Sequence, residues 1–139
     1  ELGRNLARLV DEDLIQVAAV DGEPAAMVVA LPNLNEAARD LDGRLLPLGW
    51  LKLLWRLKRH KLKTARVTLM GVRQEYQNSR LGMALACSVI DAARLALITK
   101  GIDEVEMSWI LEDNNNMRHI LESLGGDPYK RYRIYQKEL

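Results

Sequence analysis

The chain has 139 residues, 48% hydrophobic and 28% charged, with a formal net charge of +1. That length suits one domain over residues 1–139 with a core of its own, and so neutral a balance gives no reason to expect a nucleic-acid partner. One cysteine, Cys87, excludes an internal disulfide, and no Cys/His cluster has zinc spacing, so no metal site is expected. Cys87 falls in an apolar helical pattern and reads as a buried small hydrophobe. No run of eighteen or more apolar residues and no leader peptide is seen, from which a cytoplasmic location is expected. The first residue is Glu1 rather than Met, so a fragment of a longer protein is expected.

Taken in order, Gly3 to Val10 suits one or two helical turns. Leu14 to Val20 and Pro24 to Leu31 are apolar runs around Asp21-Gly22-Glu23, a strong signal for an antiparallel hairpin. Asn33 to Asp42 is polar and suits a helix capped by Asn33 or Asn35. Leu48 to Lys63 has Lys52, Arg56, Arg59 and Lys63 at helical spacing, with Trp50, Leu53, Leu54 and Leu57 on the opposite stripe. No acidic residue occurs between Arg44 and Glu75. Three readings of this helix stay open: a surface helix packed by its leucines, a peripheral-membrane or partner-binding helix, or a wall of a ligand site. His60 within it reads as a solvated or capping residue.

Thr64 to Val72 predicts a strand, 73–78 a polar loop, and a long helix opens at Ser79 and runs to about Ile98, stopped by Gly101. Strand, loop and helix start together are one way to build an anion site, because the first helical N–H groups have no intrahelical acceptor and sit at the positive end of the dipole. Gly82 in the first turn would give a ligand close access to backbone. Glu104 to Leu111 predicts a second strand with Val105, Met107 and Trp109 on one face, which makes 64–111 a βαβ unit. Asp113 or Asn114 would cap a helix over Asn115 to Leu124, ended by Gly125-Gly126. Tyr129 to Lys137 alternates and predicts a last strand.

The run Gln77-Asn78-Ser79-Arg80-Leu81-Gly82 resembles the Gln/Arg-x-x-Gly-x-Gly/Ala loop of the GNAT superfamily of acyl-CoA-dependent N-acyltransferases, with Arg80 at the middle glycine. Trp109-Ile110-Leu111-Glu112-Asp113-Asn114 through Leu124-Gly125-Gly126 resembles a second segment of the same superfamily, with Met117 for its alanine and Leu121 for its tyrosine. The two segments and their strands cover roughly the C-terminal half. The resemblance implies an α/β fold: a GNAT-like mixed sheet with an N-terminal antiparallel hairpin, a central parallel βαβ unit with splayed strands, and helices on both faces. The family's first strand and helix would precede the hairpin, and about a dozen residues are too few for both, so a truncated or N-terminally modified member is expected.

The resemblance further implies transfer of an acetyl or other acyl group from acetyl-CoA or another acyl-CoA to a small-molecule or peptide amine. The cofactor arm would lie between the strands at Leu69 to Val72 and Trp109 to Leu111. Met70 and Val72 would offer main-chain groups, residues Gln77, Asn78, Ser79, Arg80, Leu81, Gly82 and Met83 would hold the diphosphate, and Asn114 would orient the arm. With Leu121 at the usual tyrosine, Tyr135, Tyr129 or Tyr132 is left as proton donor, and Glu75, Glu106 and Glu112 as candidate bases. A non-catalytic relative, a protein acting through residues 48–63, and a homodimer stay open.

Overall fold

A computed structural model describes residues 11–41, 46–58 and 62–137. The helix expected over Gly3–Val10 and the environment of His60 lie outside the described residues. The chain forms two compact units, Glu1–Trp109 and Ile110–Leu139.

The first unit holds a four-stranded mixed sheet in the order β1 (Ile15–Val20), β2 (Glu23–Pro32), β3 (Thr64–Val72), β4 (Glu104–Glu106). β1 and β2 are the expected hairpin, with Val20 opposite Glu23 across a two-residue turn. Asp21 and Gly22 take φ 51 and φ 85 there, the left-handed pair that such a turn needs to match strand twist. β2 and β3 are antiparallel, and β3 and β4 are parallel.

Two bulges shape the sheet. On β2, Ala18 faces Ala26 and Ala19 faces Pro24, so Ala25 is the extra residue. On β3, Val29 faces Leu69 and Ala30 faces Val67, so Thr68 is extra, and its hydroxyl donates to Val29 O at 3.2 Å. An extra residue shifts the alternation by one. Ala65 and Val67 before it are buried, Met70 and Val72 after it pack against the same core, and Leu69 between them is 62% exposed.

Among the described residues the α-helices are α1 (Leu34–Ala38), α2 (Gly49–Lys58) and α3 (Arg80–Thr99) in the first unit, and α4 (Asn115–Ser123) in the second. α3 lies against β1, β2 and β3, burying Leu85, Val89, Ala93 and Leu97, an i, i+4 row on one face, against Ala26, Val28, Ala30 and Val67. By length and composition α3 could cross a membrane, but that stripe makes it a core helix here. It ends as expected at Gly101, φ 74: Gly101 N donates to Ile98 O at 2.9 Å and Ile102 N to Leu97 O at 3.1 Å. Cys87 is half-buried on it rather than fully buried.

Three expectations are corrected. β4 stops at Glu106 instead of reaching Leu111, because Ser108 takes φ 61 and breaks the extended run. Tyr129–Lys137 is not a strand: these residues are exposed and outside regular structure, since alternation supplies no ladder partner by itself. The basic helix is turned differently from its sequence pattern. Arg56 faces α1, its side chain 23% exposed, donating to Ala37 O at 2.7 Å and to Asp40. Leu53 packs on the core while Trp50 is 46% exposed.

Candidate active site

The site starts where pairing between β3 and β4 ends. The parallel ladder runs from Thr64 opposite Glu104 to Arg66 opposite Glu106, and β3 continues for six residues beyond it. Among the described residues no strand covers that edge of β3. Arg73 N donates to Ala25 O on β2 at 2.8 Å. Main-chain groups alternate in direction along a strand, so those of Met70 and Val72 turn to the open edge. Gln77 Nε2 reaches back to donate to Val72 O at 2.8 Å. β3 thus runs on past the ladder after Arg66, while the second strand of the expected splay, Trp109 to Leu111, is not formed.

A short 3-10 turn, Gln74–Tyr76, then leads into α3. Asn78 takes φ 59, which asparagine tolerates, and aims the chain at Ser79. Ser79 caps α3: its Oγ accepts from Gly82 N at 3.0 Å and donates to Tyr76 O at 2.6 Å. The third amide of the helix is therefore engaged, and the amides of Arg80 and Leu81 are left at the first two positions, where the helix offers no acceptor. The Arg80 side chain is exposed at the same end, as are those of Leu81 and Met83.

Gly82 has a different role from the access expected of it. It is buried, and a Cβ built on it would lie 2.1 Å from Tyr76 O. The glycine lets the loop carbonyl close on the helix. Sequence reading missed Tyr76, whose carbonyl organises this turn and whose ring packs against the core. Burial first, then the neighbouring Glu75, raises the phenol pKa, so it is protonated at neutral pH. Its signal was a tyrosine ahead of a left-handed residue and a cap.

Of the candidate bases, Glu75 is exposed beside the turn and pairs with Arg73 at 3.4 Å. Glu106 is held by Arg66 at 2.7 Å. The remaining candidates belong to the second unit. There Asn114 Oδ1 accepts from Met117 N at 3.2 Å and so caps α4, which ends at Gly125, φ 86. Glu112 lies 3.9 Å from Arg133, and Tyr129, Tyr132 and Tyr135 are exposed. Leu121 is buried.

An antiparallel hairpin continued by a parallel strand pair, with a long capped helix packed on the sheet, is a fold shared with solved acetyltransferases. Among solved structures, an aminoglycoside N-acetyltransferase, AAC(6')-Iy, in complex with CoA is similar over 99% of this chain and 89% of that one, with TM-score 0.58 and 17% identity. Protein YghO of Escherichia coli K12 is 52% identical over 138 residues, 99% of this chain and 35% of the relative. A bacterial ceramide synthase of Caulobacter vibrioides is 46% identical over 139 residues, 100% of this chain and 36% of the relative. The chain thus spans about a third of the length of these curated relatives. No family model matches it.

Proposed function

We propose that the chain is the acyl-CoA-binding part of an N-acyltransferase whose acceptor is a long-chain amine. The observation that carries this reading is the open edge of β3, with Met70 and Val72 main-chain groups along it and the Arg80 and Leu81 amides at its end. The donor set fits the cofactor. A pantetheine arm carries amides that pair with strand main chain, and a diphosphate suits unsatisfied amides beside a guanidinium. When bound, acyl-CoA would supply a thioester whose acyl C–S bond breaks as the C–N bond to the amine forms, CoA leaving as the thiol with the proton the amine gives up. Gln77 fixes the edge by holding Val72 O, and Ser79 fixes the helix head. Glu75 is the base candidate nearest this turn in the chain.

The acceptor class is supported by the curated relative named a ceramide synthase, since a ceramide is the amide of a long-chain amino alcohol with a fatty acid. Acetyl transfer to a small amine is supported by the fold neighbour. A panel of acetyl-CoA and long-chain acyl-CoA against both amine types separates them. A non-catalytic binding module is the second reading, favoured by Leu121, a buried side chain with no proton to give. Binding without turnover across the panel would select it.

The direct test is calorimetric titration with CoA. Arg80→Pro removes the first amide and the guanidinium, yet proline is favoured at the first helical position. The preceding Ser79 already has the extended φ −115, ψ 161 that proline requires of its neighbour. Arg80→Pro is expected to keep the fold and weaken CoA by roughly 1–3 kcal/mol, and Arg80→Ala by about half as much. A folded wild-type chain that does not bind CoA would overturn the reading.

A further inference from the structure

We propose that α2 docks the protein on an anionic phospholipid surface through a stripe of Leu48, Leu51 and Trp55. This goes beyond the acyltransferase reading and does not rest on it. Lys52 N donates to Leu48 O at 3.2 Å, so Leu48 sits at the helix cap, and the three residues recur at i, i+3 and i+7 on one face. They are 67%, 52% and 46% exposed, and the adjoining Leu46 is 80% exposed. The helix is not waiting for its own core. Leu53 already packs there, and Arg56 is anchored inward on Ala37 O and Asp40.

Charge decides among occupants. From Arg44 to Glu75 the chain has no acidic residue, and Lys58, Arg59 and Lys61 follow the stripe in sequence, while Lys63 beyond them pairs with Asp103 at 3.1 Å. Asp40 beside the helix accepts from both Lys52 and Arg56 and is neutralised by them, and their hydrogen bonds hold its pKa well below the usual range. A second copy of the chain would bring the same cations against these, whereas phosphatidylglycerol headgroups complement them. Leucines and tryptophans enter the headgroup boundary while lysines stay at phosphate level.

The experiment is co-sedimentation of the 139-residue chain with vesicles of phosphatidylcholine alone and with added phosphatidylglycerol. It is run for wild type and for the double variant Leu48→Ser, Leu51→Ser, whose exposed positions leave the thermal midpoint unchanged. Wild type is expected to bind the anionic vesicles, more weakly as salt is raised, and to bind the neutral ones several-fold less. The double variant is expected to lose roughly tenfold or more in partition. In a Trp109→Phe background, brominated lipid is expected to quench the emission of Trp50 and Trp55. Wild type left in the supernatant, or equal binding by the double variant, would overturn the proposal. So would a dimer in gel filtration that the double variant dissolves while no vesicle binding is seen, since a second copy would then cover the stripe.

Discussion

At Gly82 a single hydrogen in place of a side chain decides the geometry of the helix head. Tyr76 O occupies the space a Cβ would take, and the same carbonyl receives the Ser79 hydroxyl, whose oxygen in turn holds Gly82 N. Three residues thus close one small circuit. Gly82→Ala is expected to cost about 1–3 kcal/mol by overpacking against main chain, which cannot rotate away as a side chain can. Ser79→Ala removes the cap and is expected to cost ~1 kcal/mol. Urea denaturation of both variants checks these values, and a Gly82→Ala variant as stable as wild type would show that the loop gives way. The glycine was legible as a special position, but its reason was not. A motif records that backbone is approached closely and does not say by what.

Among elements, α1 shows how a five-residue helix is kept in place. Asn33 caps it, and Glu36 spans from it to the start of β3, accepting from Lys63 N at 2.9 Å, Thr64 N at 2.9 Å and Thr64 Oγ1 at 2.6 Å. Burial alone would raise the Glu36 pKa, but the Thr64 hydroxyl and the two amides outweigh it and lower it below its ordinary 4.5. A lowered folded-state pKa means stability that is present above the ordinary value and lost as pH falls through the folded one. Glu36→Gln is expected to cost about 1–3 kcal/mol at neutral pH and to lose less further stability than wild type on going to about pH 3. Equal acid sensitivity of the two proteins in denaturant titrations would remove Glu36 from the account. The hairpin and α3 were readable because their signals are local: a turn that needs two positive φ values, a long apolar period, a glycine stop. β4 was overread because Val105, Met107 and Trp109 keep alternating through Ser108, whose positive φ no pattern announces. α2 was read with its cations outward, because the sequence does not show that Asp40 waits beside it.

On the scale of the whole molecule, the first unit carries a complete core and the open strand edge, while the second holds α4 and the exposed Tyr129–Lys137 segment. The last strand was expected there from alternation alone. A ladder is a non-local structure, and no residue within 129–137 encodes where its partner would come from. The same limit applies to the proton steps. Glu75 lies in one unit and Glu112 and Tyr135 in the other, so spacing along the chain could not rank them. A pH–rate profile of Tyr76→Phe beside Tyr135→Phe would: loss of the alkaline limb in one and not the other assigns the donor.

The run of β3 beyond Arg66, which no strand covers among the described residues, has a colloidal consequence. A bare strand edge is a template for any extended chain, and proteins usually blunt theirs with proline, lysine or a covering segment. From Val67 to Val72 β3 has neither proline nor lysine on its own length, and Leu69 on it stands exposed. A ligand lying along that edge would also act as its cover. Heated alone, the chain should cloud by edge-to-edge pairing, and saturating CoA should delay that clouding by more than ADP does. On the proposed reading ADP would occupy only the helix head and would not lie along Met70 and Val72.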